Sequence, residues 1–319
     1  MVRVDMSMRI LNTIGGVYSG EGRQILDRLG EVDYLSPTQS ELQDIIKNYD
    51  AAVIGIGLIF DKKILDGGTR LKYIATATTG LDHIDLEYAK KKGIEIISLR
   101  GENEFLDTIT GTAELAMGLT LALFRRIPHA FDAVKRHEWE REKFRGYNLH
   151  GKTLGIVGLG RLGKMMSRYG HAFGMNVLFT DPYVTESQFV KSSLENLLKE
   201  SDVVSIHVHL NAETENLFNI ERLRKMKKGA FLINTSRGKI VDEDHLLEVL
   251  REGHLGGYAT DVLADELSFE ASGFNSHPLV EYAKINENVI IVPHIGGMTH
   301  ESRVATDVFI AEKLRKAIT

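Results

Sequence analysis

An α/β fold of two doubly wound parallel sheets is the class the sequence predicts, and three observations predict it. Short apolar runs alternate with amphipathic helical patterns along most of the chain, which is the signature of βαβ units. The alternation is interrupted once, by the polar stretch "LRGENEFLDT" and a long helical pattern, and then begins again. The length, 319 residues, is roughly twice the commonest domain size, so two domains are expected.

In the first half the order is "RILNTI", a helix over about 20–30, "VDYL", a helix over 39–48, "AAVIGIG", a short helix near 61–66, "LKYIATAT", a helix near 84–92, and "IEIIS". Leu115, Leu119, Ala122 and Leu123 then recur at helical spacing. After "EWEREKFRGYNLHGK" come "TLGIVGLG", a helix to about 173, "NVLFTD", a helix near 192–200, "VVSIHV", a helix near 219–227, "AFLINTS", a helix over 243–252, "GGYATDV" and "VIIVPH". Residues 299–317 form one more amphipathic candidate, expected to return to the first domain. The predicted division is therefore 1–101 with 295–319 for the first domain, and 102–294 for the second, with His294 beside the crossing and facing a cleft.

Composition narrows the function classes. Hydrophobic content of 43% and charged content of 26% are ordinary for soluble globular proteins. A formal net charge of -5 without a long run of like charges argues against nucleic acid or an anionic membrane as partner. The absence of cysteine excludes disulfides, thiol nucleophiles and thiolate metal sites. The N-terminus lacks the apolar core of a signal peptide, and "GTAELAMGLTLALF", broken by Glu114, is shorter than the ~20 residues a membrane span needs. A cytoplasmic protein is the expectation.

The strongest local motif is "TLGIVGLGRLGKMMSRYG", which places Gly158, Gly160 and Gly163 in the spacing G-x-G-x-x-G between a strand and a helix. In that setting the first glycine makes the tight turn, the second lets the backbone approach a pyrophosphate, and the third allows close helix–strand packing. Arg161 and Leu162, at the helix start, join them as candidate cofactor-binding residues. Asp181 ends the next strand, where a carboxylate accepts ribose hydroxyls and repels a 2'-phosphate. No arginine follows it in "PYV", so the expected cofactor is NAD rather than NADP.

Arg237, Glu266 and His294 each lie just past the C-terminal end of a strand of the second sheet, where open α/β sheets bind ligands. Individually each has an unremarkable structural explanation; together they suit hydride transfer to a 2-keto acid. Arginine grips a carboxylate bidentately and polarises the carbonyl. Histidine donates a proton near neutral pH, and a glutamate beside it would orient the ring and favour its charged form. His207 and His209 alternate on one strand face, but no third ligand accompanies them, so no metal is expected.

The blocks "GLGRLGK", "NTSRGKIVDEDHLLEVLREGHLGGYATDV" and "VPHIGG", with "TAELAMGLTLALFRRIP" before them, resemble the D-isomer-specific 2-hydroxyacid dehydrogenase family over nearly the whole chain. The resemblance implies a flavodoxin-like substrate domain and a Rossmann NAD-binding domain that close over substrate. It also implies a homodimer built around the nucleotide domains, and D stereochemistry. It assigns catalytic roles to Arg237, Glu266 and His294. It places His207, Thr214, Thr235, Asp261 and Gly297 near the cofactor, and the backbone of Thr79 and Gly80 against the substrate carboxylate.

Departures bear on the substrate. Leu267 stands where a proline usually follows the glutamate, 268–277 is longer than in typical relatives, and "SLRGENEFLDTIT" is also extended. Phosphoglycerate-type members carry an arginine after the third strand; "GIGLIFDKK" has none. Ile56, Leu58, Ile59 and Phe60 instead favour a small or apolar substrate side chain, with Leu58 as a candidate contact, although Arg100, Lys62 and Lys63 could compensate. The expected activity is NAD-dependent hydride transfer at C2 of a small D-2-hydroxy or 2-keto acid. The alternatives are a phosphoglycerate dehydrogenase and a catalytically weak NAD(H)-sensing corepressor. The chain's end at its last helix favours an enzyme, and Glu266, rather than glutamine, argues against formate as substrate.

Overall fold

The computed structural model describes residues 8–266, 269, 274 and 276–319. The chain forms two units. One holds the described residues of Met1–Ile109 and Leu267–Phe274 with Met298–Thr319; the other holds Thr110–Glu266 and the described residues of Asn275–Gly297.

In the first unit the strands are β1 (Arg9–Asn12), β2 (Glu31–Tyr34), β3 (Ala51–Ile54), β4 (Tyr73–Thr76) and β5 (Glu95–Ile97), interleaved with helices α1 (Gly20–Leu26), α2 (Gln39–Ile45), α3 (Lys62–Gly67) and α4 (Leu86–Lys91). They form one parallel sheet in the order β2-β1-β3-β4-β5, the flavodoxin-like winding. β3 is buried throughout, as a central parallel strand covered on both faces must be. Side-chain oxygens of Ser19, Thr38, Asp61 and Asp85 cap the four helices, each cap stabilising by ~1 kcal/mol.

The first unit reaches to Ile109 rather than ending near 101. The reason is packing: the short helix α5 (Asn103–Leu106) sends Leu106 into the core formed by Ile10, Leu26 and Ile97, and Phe105 packs against it. The C-terminal helix, His300–Ile318, closes the same core with Ile310, Ala311 and Leu314. Phe105 stacks on Phe309 with ring centroids 3.9 Å apart.

The second unit begins with α6 (Gly111–Phe124) and α7 (Ile127–Lys135). Its strands are β6 (Thr153–Val157), β7 (Asn176–Thr180), β8 (Val190–Lys191), β9 (Val203–Ile206), β10 (Phe231–Asn234), β11 (Gly257–Thr260) and β12 (Val289–Ile291). The helices are α8 (Arg161–Ala172), α9 (Leu194–Glu200), α10 (Ile220–Lys225), α11 (Glu243–Arg251) and α12 (Pro278–Ala283). The sheet is parallel, in the order β12-β11-β10-β9-β6-β7-β8. This is the dinucleotide-binding winding with one further strand, and the order reverses between β6 and β9. Four strand-final residues are in register, Val157, Ile206, Asn234 and Thr260, with Thr180 and Ile291 on the flanks. The carboxyl ends of six strands therefore form one row.

Candidate active site

That row carries the residues singled out from sequence: Gly158 follows Val157, Asp181 follows Thr180, His207 follows Ile206, Thr235 follows Asn234 and Asp261 follows Thr260. Gly158 has φ +93°, and a Cβ there would come 2.5 Å from the carbonyl oxygen of His207. A Cβ on Gly163 would lie 2.0 Å from the carbonyl oxygen of Gly158, so helix α8 approaches the turn as closely as it does only because that residue is glycine. Gly160 differs: it caps α8 in an extended conformation, and its missing Cβ points into open space. Such a turn presents backbone N–H groups and the positive end of a helix to an anion.

The Asp181 carboxylate stitches β7 to this turn. Oδ2 accepts the Leu159 N–H at 2.8 Å, and Oδ1 accepts those of Tyr183 and Val184 at 2.8 and 3.0 Å. A carboxylate has about four lone-pair positions, so it retains capacity for a hydroxyl. Next along the row, burial pushes the His207 imidazole down to about 4, which makes it neutral at pH 7. Its Nε2 lies 2.9 Å from Ser205 Oγ, while Nδ1 is buried and has no partner among the described residues. Thr235 Oγ1 is also buried without a partner among the described residues. Unpaired buried polar atoms are costly, and two of them beside an open glycine cradle fit a polar cofactor. The cradle, the orphaned atoms and Asp181 together suit a dinucleotide with free ribose hydroxyls.

Thr214 is placed differently from the rest of the expected cofactor set. Its hydroxyl donates to the His209 carbonyl at 2.6 Å and accepts the Asn211 N–H at 2.9 Å, so its observed work is to hold the 209–214 turn. Arg161 and Leu162 begin α8, and Gly297 is exposed with space about its Cβ position.

Arg237, Glu266 and His294 follow three neighbouring strands, β10, β11 and β12. The buried Asn234 shapes the Arg237 turn by accepting the Ser236 N–H and donating to the Arg237 carbonyl, both at 3.0 Å. A Cβ on Gly238 would collide with the Leu263 carbonyl carbon at 2.1 Å, and this close passage sets the Arg237 turn against the loop carrying Glu266. His294 Nδ1 lies 2.8 Å from Glu266 Oε1. A carboxylate can only accept, which puts the hydrogen on Nδ1 and leaves Nε2 for a ligand.

His294 has φ +51°, a left-handed conformation uncommon outside glycine. Asp261 holds it there. The Asp261 carbonyl accepts the His294 N–H at 2.9 Å, and its carboxylate accepts those of Ile295 and Gly296 at 2.6 and 2.8 Å. Burial raises this carboxyl to about 6, the two N–H donors opposing the rise. Among the described residues no group of three His, Asp or Glu side chains is disposed to hold a metal.

In the first unit, Thr79 and Gly80 follow β4. The Thr78 hydroxyl donates to the Gly80 carbonyl at 2.7 Å, and Arg100 Nε donates to the Thr79 carbonyl at 3.3 Å. Leu58 and Phe60, expected from sequence as apolar pocket residues, are buried in this unit's core with Leu42, Ile64, Ile84 and their neighbours. Phe60 is held there by a parallel bridge to Ile84. Of the four apolar residues, Ile56 and Ile59 keep accessible surface. Leu267 and most of the 268–277 segment lie outside the described residues. Sequence reasoning missed Glu243 and His277, which pair behind Glu266; their contacts are between distant segments and leave no local signal.

Fold and strand-end row define an α/β protein with a dinucleotide-binding unit and a second, flavodoxin-like unit. Residues 117–296 match the family model "D-isomer specific 2-hydroxyacid dehydrogenase, NAD binding domain". The chain is 36% identical over 302 residues to a D-3-phosphoglycerate dehydrogenase of Methanocaldococcus jannaschii, covering 92% of this chain and 55% of that protein. It thus spans about half the length of the first curated relatives it matches. A hydroxypyruvate reductase of Thermotoga maritima is 34% identical, with 93% and 95% of the two chains covered. The crystal structure of D-lactate dehydrogenase from Aquifex aeolicus, complexed with NAD and lactic acid, superimposes with a TM-score of 0.85 at 30% identity over 97% of this chain and 95% of that one. The chain belongs to the D-isomer specific 2-hydroxyacid dehydrogenase family, and its cofactor is NAD.

Proposed function

We propose that the protein is an oxidoreductase that interconverts a small D-2-hydroxy acid and its 2-keto acid with NAD. The observation that carries this reading is the His294–Glu266 hydrogen bond at the strand-end row of the NAD-binding unit. NAD, when bound, supplies or accepts the hydride. In the reductive direction, hydride arrives at C2, the carbonyl electron pair moves onto oxygen, and that oxygen takes the proton from His294 Nε2. Glu266 orients the ring and stabilises the imidazolium that donates the proton. Arg237 binds the substrate carboxylate and polarises the carbonyl. The N–H groups of Thr79 and Gly80 are assigned to the same carboxylate, and Gly158, Gly160, Arg161, Leu162, Gly163, Asp181, His207, Thr214, Thr235, Asp261 and Gly297 to the cofactor.

A specific observation favours a second reading for the substrate side chain. Among the described residues Arg100 makes no ion pair, and its guanidinium is anchored on the Thr79 carbonyl through Nε. Together with the burial of Leu58 and Phe60, this supports an acid with a second anionic group, such as 3-phosphoglycerate.

The protein is also proposed to be cytoplasmic and to form a homodimer through the second unit. No described helix is long and apolar enough to cross a membrane. Ile127, Phe131 and Val134 share one face of α7 and are exposed, as are Trp139, at 85%, and Tyr147; apolar surface of this kind fits a subunit interface.

The test is NADH oxidation, followed by absorbance, against glyoxylate, hydroxypyruvate, pyruvate, larger 2-keto acids and 3-phosphohydroxypyruvate, with His294→Ala alongside. Turnover that the variant loses supports the mechanism, and the preferred acid decides between the two substrate readings. Tight NADH binding without turnover on any acid would replace the enzyme with an NAD(H) sensor.

A further inference from the structure

Behind the His294–Glu266 pair lies a second acid–imidazole pair. Glu243 opens α11, a few residues beyond the Arg237 turn, and its side chain is only 13% exposed. Oε1 accepts the Ala264 N–H at 3.0 Å, and Oε2 lies 3.2 Å from His277 Nε2. Ala264 belongs to the loop Leu263–Glu266, within which the Leu263 N–H reaches Glu266 Oε2 at 3.3 Å. Glu243 is thus the side chain by which the helix after Arg237 grips the loop carrying Glu266. His277, at the start of α12, grips Glu243 in turn. Burial pushes the Glu243 carboxyl up to about 7 against the pull of the Ala264 N–H, with Asp265, Asp244 and Glu266 adding to the rise, and burial pushes the His277 ring down. Both shifts act towards the uncharged forms, which weakens the negative charge that Glu243 places beside Glu266.

We propose that Glu243 is a positioning residue: by fixing the Leu263–Glu266 loop it sets the aim of Glu266 on His294, and His277 holds Glu243 in place for that task. The inference rests on the reading of Glu266 and His294 as the acid–base pair. Nothing in the proton-transfer step passes through Glu243 itself.

The experiment compares Glu243→Ala, Glu243→Gln and His277→Ala with the wild type in the full chain. Four quantities are read: kcat and KM with the best keto acid, the NADH dissociation constant, and the proton NMR signal of His294 Nδ1–H. Alanine removes the acceptor for Ala264, so kcat should fall roughly tenfold or more, the scale expected for a displaced catalytic group. The Nδ1–H signal should move or broaden, while NADH affinity stays within about twofold because the glycine turn is untouched. Glutamine keeps an acceptor oxygen and should restore most of kcat and the signal; His277→Ala should shift both in the same direction as Glu243→Ala. Should Glu243→Ala not fold, Glu243→Asp, whose shorter chain withdraws from Ala264, takes its place with the same expectation. An unchanged Nδ1–H signal and kcat in the alanine or aspartate variant overturns the proposal, as does a parallel loss of kcat and NADH affinity. If the wild type turns over no keto acid yet its Nδ1–H signal still depends on residue 243, the proposed function fails and the positioning role stands.

Discussion

Asp261 fixes the backbone of His294: its carbonyl accepts the His294 N–H at 2.9 Å while its carboxylate takes the next two amide hydrogens, of Ile295 and Gly296. A histidine at φ +51° stores strain that its surroundings must offset, and these three hydrogen bonds offset it. Asp261→Asn should therefore harm the site beyond its loss of charge. The amide offers one acceptor where two donors converge, leaving a buried N–H unpaired at about 1–3 kcal/mol. Urea unfolding should show that loss, and kcat should fall with it; equal stability and activity in the variant would mean that the turn holds itself.

His207 and Asp261 should tilt stability against pH in opposite directions. The His207 imidazole drops from 6.5 to about 4 on folding, so the unfolded chain binds more protons between those values, and its contribution, complete above 6.5, is lost as pH falls towards 4. The Asp261 carboxyl rises from 3.8 to about 6, so its contribution is complete below 3.8 and lost as pH rises through 6. Relative to wild type, His207→Gln should lose stability as pH rises from 4 to 6.5, and Asp261→Asn should gain it from 3.8 to 6. Thermal melts across that range check both signs, and slopes of the same sign would contradict the assignment.

Two glycines three positions apart should respond differently to alanine. At Gly163 a Cβ would sit 2.0 Å from the Gly158 carbonyl oxygen, whereas at Gly160 it meets nothing within 4 Å. Gly163→Ala should lower both melting temperature and NADH affinity. Gly160→Ala should leave the melting temperature unchanged and weaken NADH by roughly tenfold or more, because its methyl group enters the space kept for the pyrophosphate. Calorimetry with NADH fluorescence titration separates the two effects.

Asp181→Ser should shift cofactor choice. The hydroxyl removes the negative charge that opposes a 2'-phosphate, so the ratio of kcat/KM for NADPH to that for NADH should rise by about tenfold. Part of the NADH affinity should be lost as well, because the Leu159 N–H loses its carboxylate acceptor. A ratio that does not move would place the selectivity elsewhere.

The sequence by itself determined the two parallel sheets, the glycine turn, and the candidacy of Arg237, Glu266 and His294. All of these rest on short-range patterns: the alternation of apolar runs, the G-x-G-x-x-G spacing, and chemistry-bearing residues just past strand ends. β8, two exposed residues, has no such pattern, and α7 leaves its large apolar residues Ile127, Phe131 and Val134 outside, so neither was legible. Only the tertiary structure decided that Leu58 and Phe60 serve the first unit's core, that Thr214 holds its own turn, and that His294 is left-handed on Asp261. Only it, too, joined Glu243 to Ala264 and His277. Each of these is a contact between side chains or backbone groups brought together by packing. A pattern of residue types along one chain records which groups are available, but their partners are chosen by the register of neighbouring strands and the loops that close over them.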